Sequence, residues 1–289
     1  MSNDNRPIMV TIRCLAYNQE NYIRQCLDGF VMQKTNFRFE AIVHDDASTD
    51  GTADIIREYA EKYPDIIKPI IEEENLYSKH DGSLRIIMDK HMHGKYIAVC
   101  EGDDYWTDPL KLQKQYDFME THPECSLCFH ADYRLLPSGE QKIHRPKTIK
   151  EFYTTEDIIL GGGGFMATNS MFYRQDLFPR GDRPDFWKNC PIGDLPMMLY
   201  FATKGEVGYI NESMSTYRVS SAGSWSSRQN ALRIRTAHHK RILKMFDEFD
   251  SYTNGTYHKT VIAKKTINKR AHIKDIIHTL LKAIVYKVK

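Results

Sequence analysis

In KYIAVCEGDDYWTDPLKL, residues 95–112, three carboxylates (Glu101, Asp103 and Asp104) follow an apolar run from Tyr96 to Cys100. Such charges repel one another, so a strand that ends in them either opens into water or holds a cation. Mg and Mn prefer hard oxygen donors and are commonly held by one or two carboxylates together with substrate phosphates. Gly102 lets the backbone turn or approach closely among these acids. The next helix can be capped by Thr107 or Asp108, with Pro109 in its first turn, so capping leaves the earlier acids unexplained. A second group, HDDASTDGT at 44–52, could recognise a nucleotide, because a carboxylate accepts hydrogen bonds from base N–H groups and ribose hydroxyls. The same residue types also build turns and cap helices, and on this segment alone the turn is the better reading. A third group, HPECSLCFH at 122–130, has two cysteines spaced for zinc and two flanking histidines. It lacks a second ligand pair at a distance and reads instead as a strand.

The elements that must position these groups alternate. Apolar patterning predicts strands at 8–16, 37–46, 66–73 and 95–100, with helices at 19–33, 47–64 and 83–92 between them. Alternation of this kind argues for an α/β fold with a mostly parallel sheet and helices on both faces. Ligands bind at the carboxyl ends of the strands in such sheets, so Asp45 and Asp46 should share a rim with Glu101, Asp103 and Asp104. Further on, the pattern predicts a helix from Trp106 to Pro123 and a strand over CSLCFHADYRLL. A short helix at 154–160 and a glycine-rich approach to a strand at 161–174 follow. A helix at 193–205, a strand at 206–219 and a basic helical region from about 227 complete the chain.

The 289 residues allow one large domain or one domain with an appendage, and 41% hydrophobic and 27% charged content is an ordinary globular balance. Six cysteines, mostly in apolar contexts, suggest buried reduced thiols. The N-terminal stretch lacks a basic segment followed by an apolar core, and no apolar run approaches the roughly 20 residues that span a bilayer. The expectation is a cytoplasmic protein.

Taken in order, VTIRCLAYNQENYIRQCLDGF, AIVHDDASTDGTADII and YIAVCEGDDYWTDPLKLQKQ resemble the family 2 glycosyltransferases, inverting enzymes with the GT-A fold, over about residues 8–225. The resemblance implies that Tyr17 packs against the nucleotide base and that Asp46 reads it, usually as uracil. It makes EGDD the metal motif, with Asp104 and Asp103 on Mn or Mg and on the donor's ribose or diphosphate. The family most often has Asp where this chain has Glu101, which the resemblance places among the donor-binding residues. The acid that precedes a helix in the second half acts as general base, which falls here on Asp194, after Gly193 where the family usually has Glu. A plain N-cap is the structural alternative for Asp194. Arg218 matches a Tyr-Arg pair and could steady the diphosphate or form an ion pair; Ser220 stands where a His is frequent. GGGGFMATNSMFY, including Thr168, matches the acceptor side, where His130, Asp132 and Trp225 are also expected.

The implied activity is a metal-dependent inverting transfer of one sugar from a UDP-sugar to a hydroxyl of a saccharide or lipid-linked acceptor, in bacterial surface polysaccharide or glycoconjugate assembly. The expected organisation is a transferase domain at 1–226, divided into a donor half at 1–105 and an acceptor half at 106–226, with a helical extension at 227–289. A sugar-1-phosphate nucleotidyltransferase would instead carry a glycine-rich basic loop where this chain reads LAYNQENY; an inactive nucleotide-sugar-binding module is the other alternative. Residues 258–289 contain nine Lys or Arg against Asp275 alone, with an apolar stripe at helical spacing. That pattern suits the surface of an anionic membrane and gives no reason to expect nucleic-acid binding.

Overall fold

The computed structural model describes residues 6–179, 181–220 and 232–288, with side chains through 281. Four parallel strands form its first half: β1 (Ile8–Ala16), β2 (Arg38–Asp45), β3 (Ile67–Ile71) and β4 (Tyr96–Val99). They are linked by helices α1 (Ile23–Val31), α2 (Thr52–Lys62) and α3 (Ser83–His91). Next come β5 (Tyr105–Trp106), α4 (Lys111–Thr121), β6 (Cys125–Leu135), β7 (Gln141–His144), β8 (Phe152–Tyr153) and α5 (Thr155–Gly161). The chain continues through β9 (Phe172–Arg174), α6 (Asp185–Lys188), α7 (Asp194–Ala202) and β10 (Glu206–Arg218) to α8 (Leu232–Tyr252) and α9 (His258–Val288).

Among the described residues, all ten strands join one sheet whose main path runs β3-β2-β1-β4-β9-β6-β10-β5. β9 is antiparallel to both β4 and β6, so β6 runs in the same direction as the first half, and β10 is parallel to β6. The short strands β5, β7 and β8 went unanticipated because two to four residues cannot show a period of two.

Side-chain alternation divides the core between the two faces. Tyr96, Ala98 and Cys100 face a layer with α1, α2 and α4, whereas Ile97 and Val99 face the other layer with α5 and α7. That second layer also takes Ile242, Met245, Phe246 and Phe249 of α8 and Val261 of α9, so the C-terminal helices share a core with the second half of the sheet. Burying each such side chain is worth roughly 1.5–3 kcal/mol, which fixes α8 by packing.

The six cysteines are free and mostly buried. Burial pushes the Cys125 thiol up to about 12 and the Cys128 thiol higher still, opposite to what a metal-bound thiolate requires. This supports a strand over the zinc reading.

Candidate active site

The carboxyl ends of β2, β1 and β4 form one rim, as the strand alternation predicts. The loop after β1 is stitched to the loop after β2. Asn18 donates its backbone N–H to Ser48 Oγ at 2.9 Å and accepts from the Thr49 N–H at 2.8 Å. Gln19 N–H reaches Thr52 Oγ1 at 2.7 Å, and Gly51 N–H reaches Glu20 at 2.9 Å. Asp45 accepts from the Ser48 N–H and hydroxyl, and Asp50 accepts from the Thr52 N–H. Asp45 and Asp50 therefore do the turn-building.

Asp46 has a different task. It is 5% exposed, and its two oxygens accept from the N–H groups of Leu76 (2.7 Å) and Tyr77 (3.0 Å). This ties the segment after β3 to the end of β2 and leaves each oxygen a further lone pair. Ala47 follows at φ +61°, a left-handed conformation rare for a residue with a Cβ and often found at functional sites. Tyr17 is 41% exposed at the same rim.

At the end of β4, Gly102 sits in close packing against Gln19, Ile23 and Ala16. Its N–H donates to Leu15 O at 2.9 Å, and a Cβ there would stand 2.3 Å from Gln19 Oε1. Glu101 is paired with Arg13 of β1 at 3.4 Å. Burial raises its carboxyl pKa, with Arg13 opposing. Asp104 is 1% exposed and accepts the Arg218 N–H at 2.8 Å. Burial, reinforced by the neighbouring charge of Asp103, pushes the Asp104 carboxyl well above its ordinary range. Arg218 donates to the Asp103 carbonyl and to Gln25, and its guanidinium lies over Tyr105 at 4.6 Å and Tyr22 at 5.0 Å. The guanidinium thus clamps the acidic turn to α1 and β5.

Among the described residues no three His, Cys, Asp or Glu side chains converge as a ready-made metal site. Asp103 and Asp104 nevertheless fit a divalent ion that takes its other ligands from a diphosphate: both offer hard oxygens, and a cation would relieve the cost of ionising Asp104.

On the other side of the sheet's centre, Asp194 is the first residue of α7 and accepts the Leu195 N–H at 2.8 Å. It does not cap from the preceding position, which Gly193 occupies. Burial raises its carboxyl pKa, the direction that suits a general base near neutral pH. Tyr217 of β10 relates this acid to the rim. Burial and the charges of Asp104, Asp103 and Asp194, in that order, push its phenol up to about 12.

Residues 13–181 match the sequence model of Glycosyl transferase family 2. The chain belongs to glycosyl transferase family 2. A Mycobacterium bovis relative, uncharacterized protein Mb1547, is 37% identical over 222 residues, covering 75% of this chain and 61% of its own length. The chain thus spans about three fifths of that relative. TuaG of Bacillus subtilis, a putative teichuronic acid biosynthesis glycosyltransferase, is 28% identical over 156 residues, 53% of this chain and 59% of its own. Staphylococcus aureus TarS 1-349, solved in complex with UDP-GlcNAc, aligns at a TM-score of 0.59 and 16% identity, covering 87% of this chain and 73% of that one. Mannosyltransferase PcManGT from Pyrobaculum calidifontis, in complex with GDP-Man and Mn2+, aligns at 0.58 and 16%, covering 99% and 82%. These likenesses establish the GT-A fold.

The family 2 match ends before Asp194 and Arg218, so both rest on geometry. His130 is 1% exposed, with Nδ1 on the Ala131 carbonyl at 2.7 Å and Nε2 buried without a partner. Burial and the charge of Lys111 lower its pKa well below the ordinary value. It lies inside the fold on β6. Asp132 is equally buried and is held by His144 Nδ1 at 2.7 Å. His144 Nε2 meets Arg134 at 3.1 Å, and the Arg134 guanidinium lies 5.7 Å from the Tyr217 ring centre. Thr168 is half-buried in a single 3-10 turn before β9. Trp225 lies outside the described residues. Sequence reasoning missed Arg134, His144 and Tyr217. Arg134 and Tyr217 are paired in the β6–β10 register, as Asp132 and His144 are between β6 and β7, but β7 itself was not foreseen.

Proposed function

We propose that the chain is a metal-dependent inverting glycosyltransferase that moves one sugar from a UDP-sugar to a hydroxyl of a saccharide or lipid-linked acceptor, in bacterial surface polysaccharide or glycoconjugate assembly. The observation that carries this reading is the pairing, in a chain matched by the family 2 model, of Asp103 and buried Asp104 after β4 with buried Asp46 at the end of β2 on the same rim of the sheet. In this reading Asp194, at the start of α7, serves as the base opposite that rim.

Tyr17 packs against the base and Asp46 reads it, with its orientation fixed by Leu76 and Tyr77. Asp104 and Asp103 hold Mn or Mg, which when bound neutralises charge on the leaving diphosphate. Glu101 balances Arg13, and Arg218 keeps the acidic turn in place. Asp194 accepts the proton of the acceptor hydroxyl as that oxygen attacks the anomeric carbon from the face opposite the leaving group. The solved neighbours' nucleotide sugars, UDP-GlcNAc and GDP-Man, and the Mn2+ of one of them support this chemistry. Residues 1–226 serve as the catalytic unit and 227–289 as a helical buttress to its acceptor half.

The buttress also rests on a membrane in this reading. No helix among the described residues is long and apolar enough to cross one. On α9, however, Ile262, Ile267, Ile273, Ile277, Leu280 and Leu281 are exposed, beside exposed Lys259, Lys269, Arg270 and Lys274. Apolar side chains among cations suit an anionic bilayer surface. Sedimentation with phosphatidylglycerol vesicles should carry the protein down, and pure phosphatidylcholine vesicles should leave it in solution; equal behaviour with both would refute this contact.

The activity is tested by incubating the protein with a panel of nucleotide sugars and manganese. One donor should release its nucleoside diphosphate, and chelation should stop the release. Binding of a donor without turnover, under any acceptor supplied, would favour an inactive binding module.

A further inference from the structure

The glycine-rich segment 161–167 touches three parts of the molecule that are distant in sequence. At its start, Lys264 of α9 donates from Nζ to the carbonyls of Leu160 at 2.8 Å and Gly161 at 3.2 Å. These are among the last carbonyls of α5, which lack partners within the helix and lie at the negative end of its dipole. Gly162 follows at φ +70° and ψ −160°, a region open essentially to glycine alone. A Cβ at Gly162 would stand 2.5 Å from Lys264 Nζ. In the middle, Gly163 faces Ile192, two residues before Asp194. Beside it, the Gly164 carbonyl accepts from Arg134 at 3.4 Å, and Arg134 leans over Tyr217.

Lys264 is 8% exposed, and burial lowers its pKa. Withdrawing an ammonium from water is costly, and an unbranched apolar chain would fill the same space without that cost. The cation makes physical sense where its donors are used, and here Nζ bonds to Leu160 and Gly161, where α5 gives way to the glycine segment.

We propose that Lys264 is a positioning residue for the transfer reaction: it fixes the start of 161–167 and so holds this wall of the acceptor site at a set distance from Asp194. The proposal rests on reading Asp194 as the base. It makes α9 part of the acceptor site's support as well as a surface feature, and it gives the four glycines a fixed shape in place of a flexible linker.

The test uses the full chain with Lys264→Met, Lys264→Arg and Gly162→Ala. Methionine keeps the length and helix propensity while removing the charge. Hydrogen–deuterium exchange reads the segment without any acceptor. In Lys264→Met, amides of 160–166 should exchange about tenfold faster or more, with 43–48 and 98–106 unchanged. Lys264→Arg should restore slow exchange, and Gly162→Ala should reproduce the loosening from the loop's side. With octyl glycosides as acceptor probes, Lys264→Met should lose about tenfold in transfer through acceptor KM, with manganese-dependent UDP binding held within about twofold. Unchanged exchange at 160–166, or UDP binding that falls in step with transfer, would overturn the proposal. Loosening of 160–166 in a protein whose wild type transfers from no donor would instead overturn the transferase reading, and with it the catalytic meaning of this contact.

Discussion

The donor rim and the acceptor wall are built in opposite ways. At the rim, three short motifs at the ends of adjacent parallel strands bond mostly to one another: Asn18 to Ser48 and Thr49, Gln19 to Thr52, Gly102 to Leu15. At the wall, single residues from β6, β7, β10, α7 and α9 meet around a glycine segment, and each arrives from a different part of the chain. The rim is therefore organised mostly by its own loops, with Arg218 of β10 added at the acidic turn, whereas the wall depends on the whole second half being packed. A substitution at the rim should act on donor and metal with little spread; one at the wall should act on transfer while donor binding survives.

The largest expected effect is at the rim. Asp104→Asn keeps an acceptor for the Arg218 N–H but removes the buried charge, and transfer should fall by about a thousandfold or more in a donor-turnover assay. Next is Asp194→Asn, which should cost about 10²–10⁴-fold in transfer, with UDP affinity kept. If the two substitutions reduced UDP binding equally, the separation of rim from wall would fail.

Gly102→Ala places a methyl against Gln19 and Ala16 and should destabilise the fold by about 1–3 kcal/mol in denaturant melts, with the damage centred on the rim. His144→Ala removes the hydrogen bond to buried Asp132 and leaves it only the longer ion pair with Arg134 at 4.0 Å; it should cost about 1–3 kcal/mol, with transfer affected more than UDP binding.

The smallest effect is one of pH. The Asp194 carboxyl pKa is raised in the folded state, so the native protein holds its proton more tightly than the unfolded chain does. Its contribution to stability is present at low pH and falls as pH rises from the unfolded to the folded pKa. Asp194→Asn should therefore melt higher than wild type at neutral pH, a gap that narrows below the ordinary carboxylate range. A constant gap across pH would mean that Asp194 is not held in a costly environment.

The same contrast explains what could be read from the residues. The four parallel strands and the acids at their ends were legible because each motif is contiguous and apolar runs precede it. Which acid does what was not: Asp45 and Asp46 are adjacent and identical, and the backbone N–H groups of Leu76 and Tyr77, 30 residues on, distinguish Asp46. Glu101 likewise finds its use in Arg13, on a neighbouring strand. At the wall, His130 looked available beside Asp132, but a strand covered on both faces buries it. Arg134, His144 and Tyr217 carry no local signature, because the β6–β7 and β6–β10 registers bring them together. The basic C-terminal pattern was visible, but the inward turn of Lys264 was not, since one lysine among nine basic residues reads as surface charge until α9 is packed.

The central claim is that the acids after β4 bind the donor's diphosphate together with a divalent ion. Calorimetric titration of UDP into wild type and Asp104→Asn, each with and without manganese, tests it most directly. The account predicts manganese-dependent UDP binding in wild type that is lost in Asp104→Asn. Unchanged manganese-dependent binding in Asp104→Asn would contradict it.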